Sequence, residues 1–181
     1  MMSLVGVFEG LIHSDWRIER TGSNWHVREH KPTSNPDLKI SGAKAFGFSL
    51  DQSRRMAWPF MQALAGMHKV CDAIIIAEID DAPLVIAVEL KSGNIGTASR
   101  QIHSTWLFME WLRTLLEYHS HWPHGWMFCG LISSTPRRQE HKGTTHRNRS
   151  FEIDKSGPYP VAKIRNRPNI NLRDLHKELS P

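Results

Sequence analysis

The stretch from Cys71 to Lys91 limits what this chain can fold into more than any other part of it. It reads Cys-Asp-Ala-Ile-Ile-Ile-Ala-Glu-Ile-Asp-Asp-Ala-Pro-Leu-Val-Ile-Ala-Val-Glu-Leu-Lys. Two apolar runs, 70–79 and 84–91, flank the breaker cluster Asp80-Asp81-Ala82-Pro83, the pattern of a β-hairpin. In the second run Leu84, Ile86, Val88 and Leu90 face one way, and Val85, Ala87, Glu89 and Lys91 the other. Both faces are largely apolar, which predicts helices on both sides of the sheet. Asp72, Glu89 and Lys91 break the apolar pattern, and burying an unpaired charge is costly, so these three residues call for a chemical reason.

The sequence on either side fills in the architecture. Residues 52–66 (Gln-Ser-Arg-Arg-Met-Ala-Trp-Pro-Phe-Met-Gln-Ala-Leu-Ala-Gly) predict a short helix closed by Gly66, with Pro59 as a kink or a late start. Gly93-Asn94-Ile95-Gly96 ends the second strand, and Thr97 is placed to cap a helix running to about Tyr118. Ile102, Trp106, Met109, Leu112 and Leu116 form its apolar stripe, opposite His103, Glu110, Thr114 and Glu117. Gly125–Ser133 reads as a further strand and 161–165 as another, and Ile170-Asn171-Leu172 leads into a short C-terminal helix. The order gives an α/β fold with a small mixed β-sheet flanked by helices. One domain of 181 residues is expected, with a core at 51–133, an N-terminal extension at 1–50 and a basic C-terminal extension at 134–181.

Charge is unevenly distributed. Residues 1–132 carry 12 Lys/Arg against 13 Asp/Glu, net −1, and residues 133–181 carry 11 against 5, net +6. Such asymmetry points to a polyanionic partner, nucleic acid before an anionic membrane surface. Arg137, Arg138, Lys142, Arg147 and Arg149 stand in a loop after the last core strand and suit contact with a phosphate backbone; a merely solvated loop is an equal reading. Cys71 and Cys129 each sit inside an apolar run and read as small buried hydrophobes of a reducing compartment. The apolar start carries Glu9 and lacks a basic leader, and no stretch is long enough to span a membrane, so a cytoplasmic protein is expected.

With Asp72 set across from Lys91, Glu89 falls diagonally on the same face; a slip of one residue would turn Asp72 to the other side. Asp72, Glu89 and the Leu90 backbone carbonyl then offer oxygen ligands alone, a set suited to Mg²⁺ or Mn²⁺. Lys91 is placed to orient water or to neutralise charge developing on a phosphate. Two adjacent carboxylates without metal repel, which predicts a raised pKa for one of them.

Asp72, the hairpin and Glu89-Leu90-Lys91 resemble the PD-(D/E)XK superfamily of restriction-endonuclease-like nucleases, over roughly residues 50–133. The resemblance implies an αβββαβ core, metal binding by Asp72 and Glu89, and catalytic assistance by Lys91. It adds Gln101, because some branches carry a glutamine on the helix after the lysine strand. The proline that sometimes precedes the aspartate is replaced by Cys71, and the tyrosine that accompanies the glutamine in some branches is absent. An upstream acid joins the metal in some relatives; Glu9, Glu19 and Glu29 are the candidates. The implied activity is a Mg²⁺-dependent endonuclease, acting on DNA more than RNA by in-line attack of activated water, in defence or repair. The alternatives are a non-catalytic nucleic-acid-binding or assembly subunit with the same fold, and a dimeric resolvase of branched DNA. A homodimer or a place in a larger complex fits the small size and the broad apolar helix.

Two other groups have plainer readings. His119, His121 and His124 lie together, but Pro123 interrupts the spacing and no cysteine is near, so a polar loop is favoured over zinc. His68, four residues before Asp72, reads as a strand-edge histidine before it reads as a phosphate contact.

Overall fold

The computed structural model describes residues 3–28, 37–53, 55–62, 64–92, 96–134 and 151–180. A six-stranded mixed sheet forms its centre. It comprises β4 (Lys44–Phe48), β5 (Ala73–Ile79), β6 (Ala82–Lys91), β7 (Met127–Ser134), β8 (Glu152–Asp154) and β9 (Val161–Arg165), in the order β4-β5-β6-β7-β9-β8. β5 runs antiparallel to both β4 and β6, and β7 lies parallel to β6 after the crossover helix α2 (Ala98–Tyr118). A second sheet, β1-β2-β3-β10, is built from β1 (Arg20–Thr21), β2 (Asn24–Arg28), β3 (Asp37–Ser41) and β10 (Asn169–Asn171). Helix α1 (Leu4–Leu11) packs on β4 and β5, α2 on β6 and β7, and α3 (Leu172–Leu179) on β5 and β10. No helix among the described residues is long and apolar enough to cross a membrane.

The central hairpin follows from its β-branched composition and is covered on both faces: Leu84 to Leu90 are all buried. Its turn is tighter than the four residues that the sequence marks. Asp80 (φ 50°) and Asp81 (φ 65°) alone make it, and pairing resumes at once with Ile79 opposite Ala82. Two successive positive φ angles give the twist that a two-residue hairpin turn requires, and aspartate tolerates them better than most residues. Arg173 donates to Asp80 Oδ1 at 2.9 Å and ties α3 to the turn. The strand β5 begins at Ala73, three residues later than expected.

Residues 52–66 do not form the predicted helix; their described part runs as successive turns. Turn-type hydrogen bonds replace helical ones, with Met61 N–H to Trp58 O at 3.0 Å and Met67 N–H to Leu64 O at 3.1 Å. Pro59 lacks the amide donor and its ring clashes with a preceding helical turn. Trp58 is recruited instead, its ring 4.9 Å from that of Phe108 on α2. The first helix is α1, which β1, β2 and β3 of the second sheet separate from β4, and both α1 and β4 come from residues 1–50. The final quarter supplies β8, β9, β10 and α3, so both flanks of 51–133 contribute to the sheets.

α2 begins and ends where the sequence places it, but Thr97 makes no side-chain cap. Thr105 is buried in its inner face, whereas Trp106 is only half-buried. Close approach of α2 to the sheet depends on Gly130, where a Cβ would lie 2.8 Å from Ile102 Cγ2.

Candidate functional site

The hairpin register is Ala73 opposite Val88. One residue further it sets Asp72, at the mouth of β5, opposite Glu89 and not opposite Lys91. The expected register was therefore off by two residues. Because side chains alternate with a period of two, the shift leaves Asp72, Glu89 and Lys91 on one face. All three line a cleft of about 360 Å³ together with Leu90, Gln101, Asp51, His68 and Lys69. Asp72 is 7% exposed and Glu89 1%.

Each group is held from a different element. Asp72 Oδ2 accepts the Leu90 N–H at 2.6 Å, so the strand backbone fixes the first carboxylate. Within a strand, the N–H and C=O of one residue point to the same side, so the Leu90 carbonyl faces the Asp72 edge. Lys91 Nζ lies 2.5 Å from Glu89 Oε1 and donates to Gln101 Oε1 at 2.8 Å. Gln101 Nε2 in turn donates to Val70 O at 3.0 Å. Gln101 thus bridges the lysine to the chain just before Asp72. One helical turn on, Thr105 Oγ1 accepts the Cys71 N–H at 3.1 Å and donates to Gln101 O at 3.0 Å. These two α2 residues set the entry to β5 and with it the aim of Asp72.

The electrostatics are unbalanced. Glu89 Oε2 is buried without a hydrogen-bond partner among the described residues. Burial first, then the Asp72 charge, push the Glu89 carboxyl up to about 8; the Lys91 hydrogen bond and charge offset part of this, and Asp51 adds to it. The expected pKa rise falls on Glu89. Burial also pushes the Cys71 thiol far up, which rules it out as a nucleophile at neutral pH.

The donor set fits a hard divalent cation. Glu89 Oε2 lacks a partner among the described residues, the Asp72 charge acts on it, and a cation there would relieve the repulsion that raises Glu89. Among the described residues no three His, Cys, Asp or Glu side chains converge to hold a metal by themselves, so water or substrate would have to complete the coordination.

Of the remaining candidates, Glu9 is exposed on α1. Glu19 is paired with Arg28 at 2.6 Å, but lines a second cavity of about 340 Å³ together with Asp72. Gln52, Ser53 and Asp72 border both cavities, so the cleft continues past the hairpin toward β2. Glu29 and the basic set Arg137, Arg138, Lys142, Arg147 and Arg149 lie outside the described residues. His68 spends both ring nitrogens on the turn segment, accepting from or facing Trp58 N at 3.4 Å and Gln62 O at 3.2 Å. His119 and His121 lie with their rings tilted at 36° and their centroids 6.4 Å apart.

Sequence reasoning missed Asp51 and Thr105. Asp51 follows β4, and only the folded chain carries it to the hairpin. Thr105 left one legible trace, a hydroxyl four residues after Gln101 on an apolar helix face. No protein-family model matches the chain, and no curated protein or solved structure matches it.

Proposed function

We propose that the chain is a divalent-metal-dependent endonuclease of the restriction-endonuclease-like kind, hydrolysing phosphodiester bonds in DNA. The observation that carries this reading is the buried carboxylate oxygen of Glu89, left without a partner beside Asp72 and Lys91 in an open cleft. Lys91 meets only the other oxygen of Glu89, and a divalent cation at Oε2 would offset the burial and the Asp72 charge that hold this carboxyl protonated. The strand order around the hairpin, the helix after it and the net +6 of residues 133–181 support the same reading.

Asp72, Glu89 and the Leu90 carbonyl would hold Mg²⁺ or Mn²⁺, which supplies Lewis-acid polarisation of a phosphoryl oxygen and lowers the pKa of the attacking water. Lys91 contributes a fixed positive charge at the cleft wall, where charge gathers on the phosphate oxygens. Gln101 holds that ammonium group toward the cleft and keeps it from swinging out to solvent. The adjoining cavity gives the nucleic-acid strand room on either side of Asp72. Asp51 adds a third negative charge at the rim and raises the demand for a cation.

Incubation of supercoiled plasmid with the parent and Mg²⁺ is expected to yield nicked and linear forms with 5′-phosphate ends. Glu89→Ala and Lys91→Ala are expected to bind DNA yet cut at least about 10²-fold more slowly. If parent and variants bind alike and none cuts, the chain is a nucleic-acid-binding subunit and the hydrolytic reading fails.

A further inference from the structure

Beside the cleft, the molecule turns apolar side chains outward. Met56, Phe60, Leu64 and Met67 of the turn segment, with Leu107 and Trp111 of α2, are exposed; Phe60 reaches 79%, Leu64 68% and Trp111 57%. The two elements form one surface. Trp58 packs on Phe108 at 4.9 Å between ring centroids, and Phe108 on Trp111 at 5.8 Å. Along α2, Leu107, Trp111 and Tyr118 stand at i, i+4 and i+11 and continue the surface as a helical stripe.

We propose that this face is where two copies of the chain associate, about a two-fold axis crossing α2 between Trp111 and Thr114. Three observations select a second copy as the occupant. The first is area. At about 150–250 Å² for a whole aromatic side chain, the exposed parts of Phe60, Trp111 and Tyr118 present on the order of 400 Å². The aliphatic and thioether chains roughly double this, to the ~800 Å² per partner of a standard interface and above the largest apolar patch of a typical monomer. The second is charge. Arg113 is satisfied within the helix by Glu110 at 3.0 Å and Glu117 at 3.6 Å, and Arg55 by Asp15 at 3.3 Å. With these two arginines paired within the chain, the middle of the face does not repel its own copy. The third is shape. A stripe along one face of a 21-residue helix can pack on its own antiparallel image, as an isologous interface requires. Methionine and aromatic side chains are also the types enriched in such interface cores.

The inference stands whether or not the chain cuts DNA. Sedimentation velocity of the full chain, from about 1 to 100 µM, spans the range in which an interface of this size associates. The parent is expected at twice the mass of one chain. Trp111→Glu and Phe60→Ser are expected to raise the dimer dissociation constant at least about 10-fold while still melting cooperatively. Thr114→Cys, next to the axis, is expected to give a covalent dimer on mild oxidation, because Cys71 and Cys129 are buried and do not compete. A parent that sediments as one chain at ~100 µM overturns the proposal. Variants that stay paired, or a Thr114→Cys protein that does not cross-link, overturn it as well.

Discussion

The hairpin end and the turn segment at 55–68 lie next to each other and break the same rule in opposite directions. At the hairpin end, carboxylates are buried among β-branched residues; in the segment, Phe60, Leu64 and three methionines stand in solvent. The first arrangement stores unfavourable electrostatics, and the second stores unfavourable hydration. On the two proposals above, each would be stabilised by something a single metal-free chain lacks: a divalent cation with a phosphate in one place, a second apolar surface in the other. The contrast separates two kinds of site by physics. Substituting the hairpin residues should change charge linkage, and substituting the segment should change association with little effect on the folded monomer.

The widest separation between the two regions should come from pH. Folded Glu89 keeps its proton up to about 8, against an ordinary value near 4.5. Between these values the folded chain binds a proton that the unfolded chain releases, so stability falls as pH rises through the window and levels off above 8. Thermal melts of metal-free protein are expected to lose a few kcal/mol across that range, and Glu89→Gln to remove most of the slope. A parent whose melting temperature rises over the same window would contradict the burial and Asp72 repulsion assigned to Glu89.

Asp72→Asn should have the next largest effect. The amide oxygen can still accept the Leu90 N–H, while the charge facing Glu89 is gone. Metal-free protein is expected to melt higher by about 2–6 °C, and to lose the Mg²⁺-induced rise of the parent. A variant that melts below the metal-free parent would show that the carboxylate stabilises the fold by itself. Gln101→Ala removes a bridge with a donor at one end and an acceptor at the other. About 1–2 kcal/mol of stability should go, and with it cutting rate more than substrate affinity, readable as a fall in kcat with KM nearly unchanged. The smallest effect belongs to the turn segment. Leu64→Ser should shift the unfolding free energy of the folded chain, measured at low concentration, by no more than about 0.5 kcal/mol. A large loss there would mean that the segment is part of the core, and the contrast with the hairpin would collapse.

Where local pattern decides structure, the sequence was a good guide. The hairpin runs, the helix ending at Tyr118 and the strand at 161–165 are visible in periodicity and breakers, because apolar spacing and backbone preference act over a few residues. Grouping of Asp72, Glu89 and Lys91 on one face was legible for the same reason, since parity survives a two-residue change of register. The turn at Asp80-Asp81 was not, because aspartate and alanine-proline both mark turns and only pairing selects between them. The helix expected at 52–66 failed on competition: Pro59 weakens it, and a tryptophan contact with α2 outweighs what remains.

Composition and alternation alone set the apolar hairpin, the charges that interrupt it and the basic final quarter, because these depend on neighbours a few residues apart. Tertiary structure decided the rest. It brought Asp51 to the cleft, lined up Gln101 and Thr105 behind Asp72, paired β3 with β10 across most of the chain, and left Glu89 with an oxygen that no described residue satisfies. Those outcomes hang on which distant surfaces meet, and the entropy of closing long loops is recovered only by the packing of the whole.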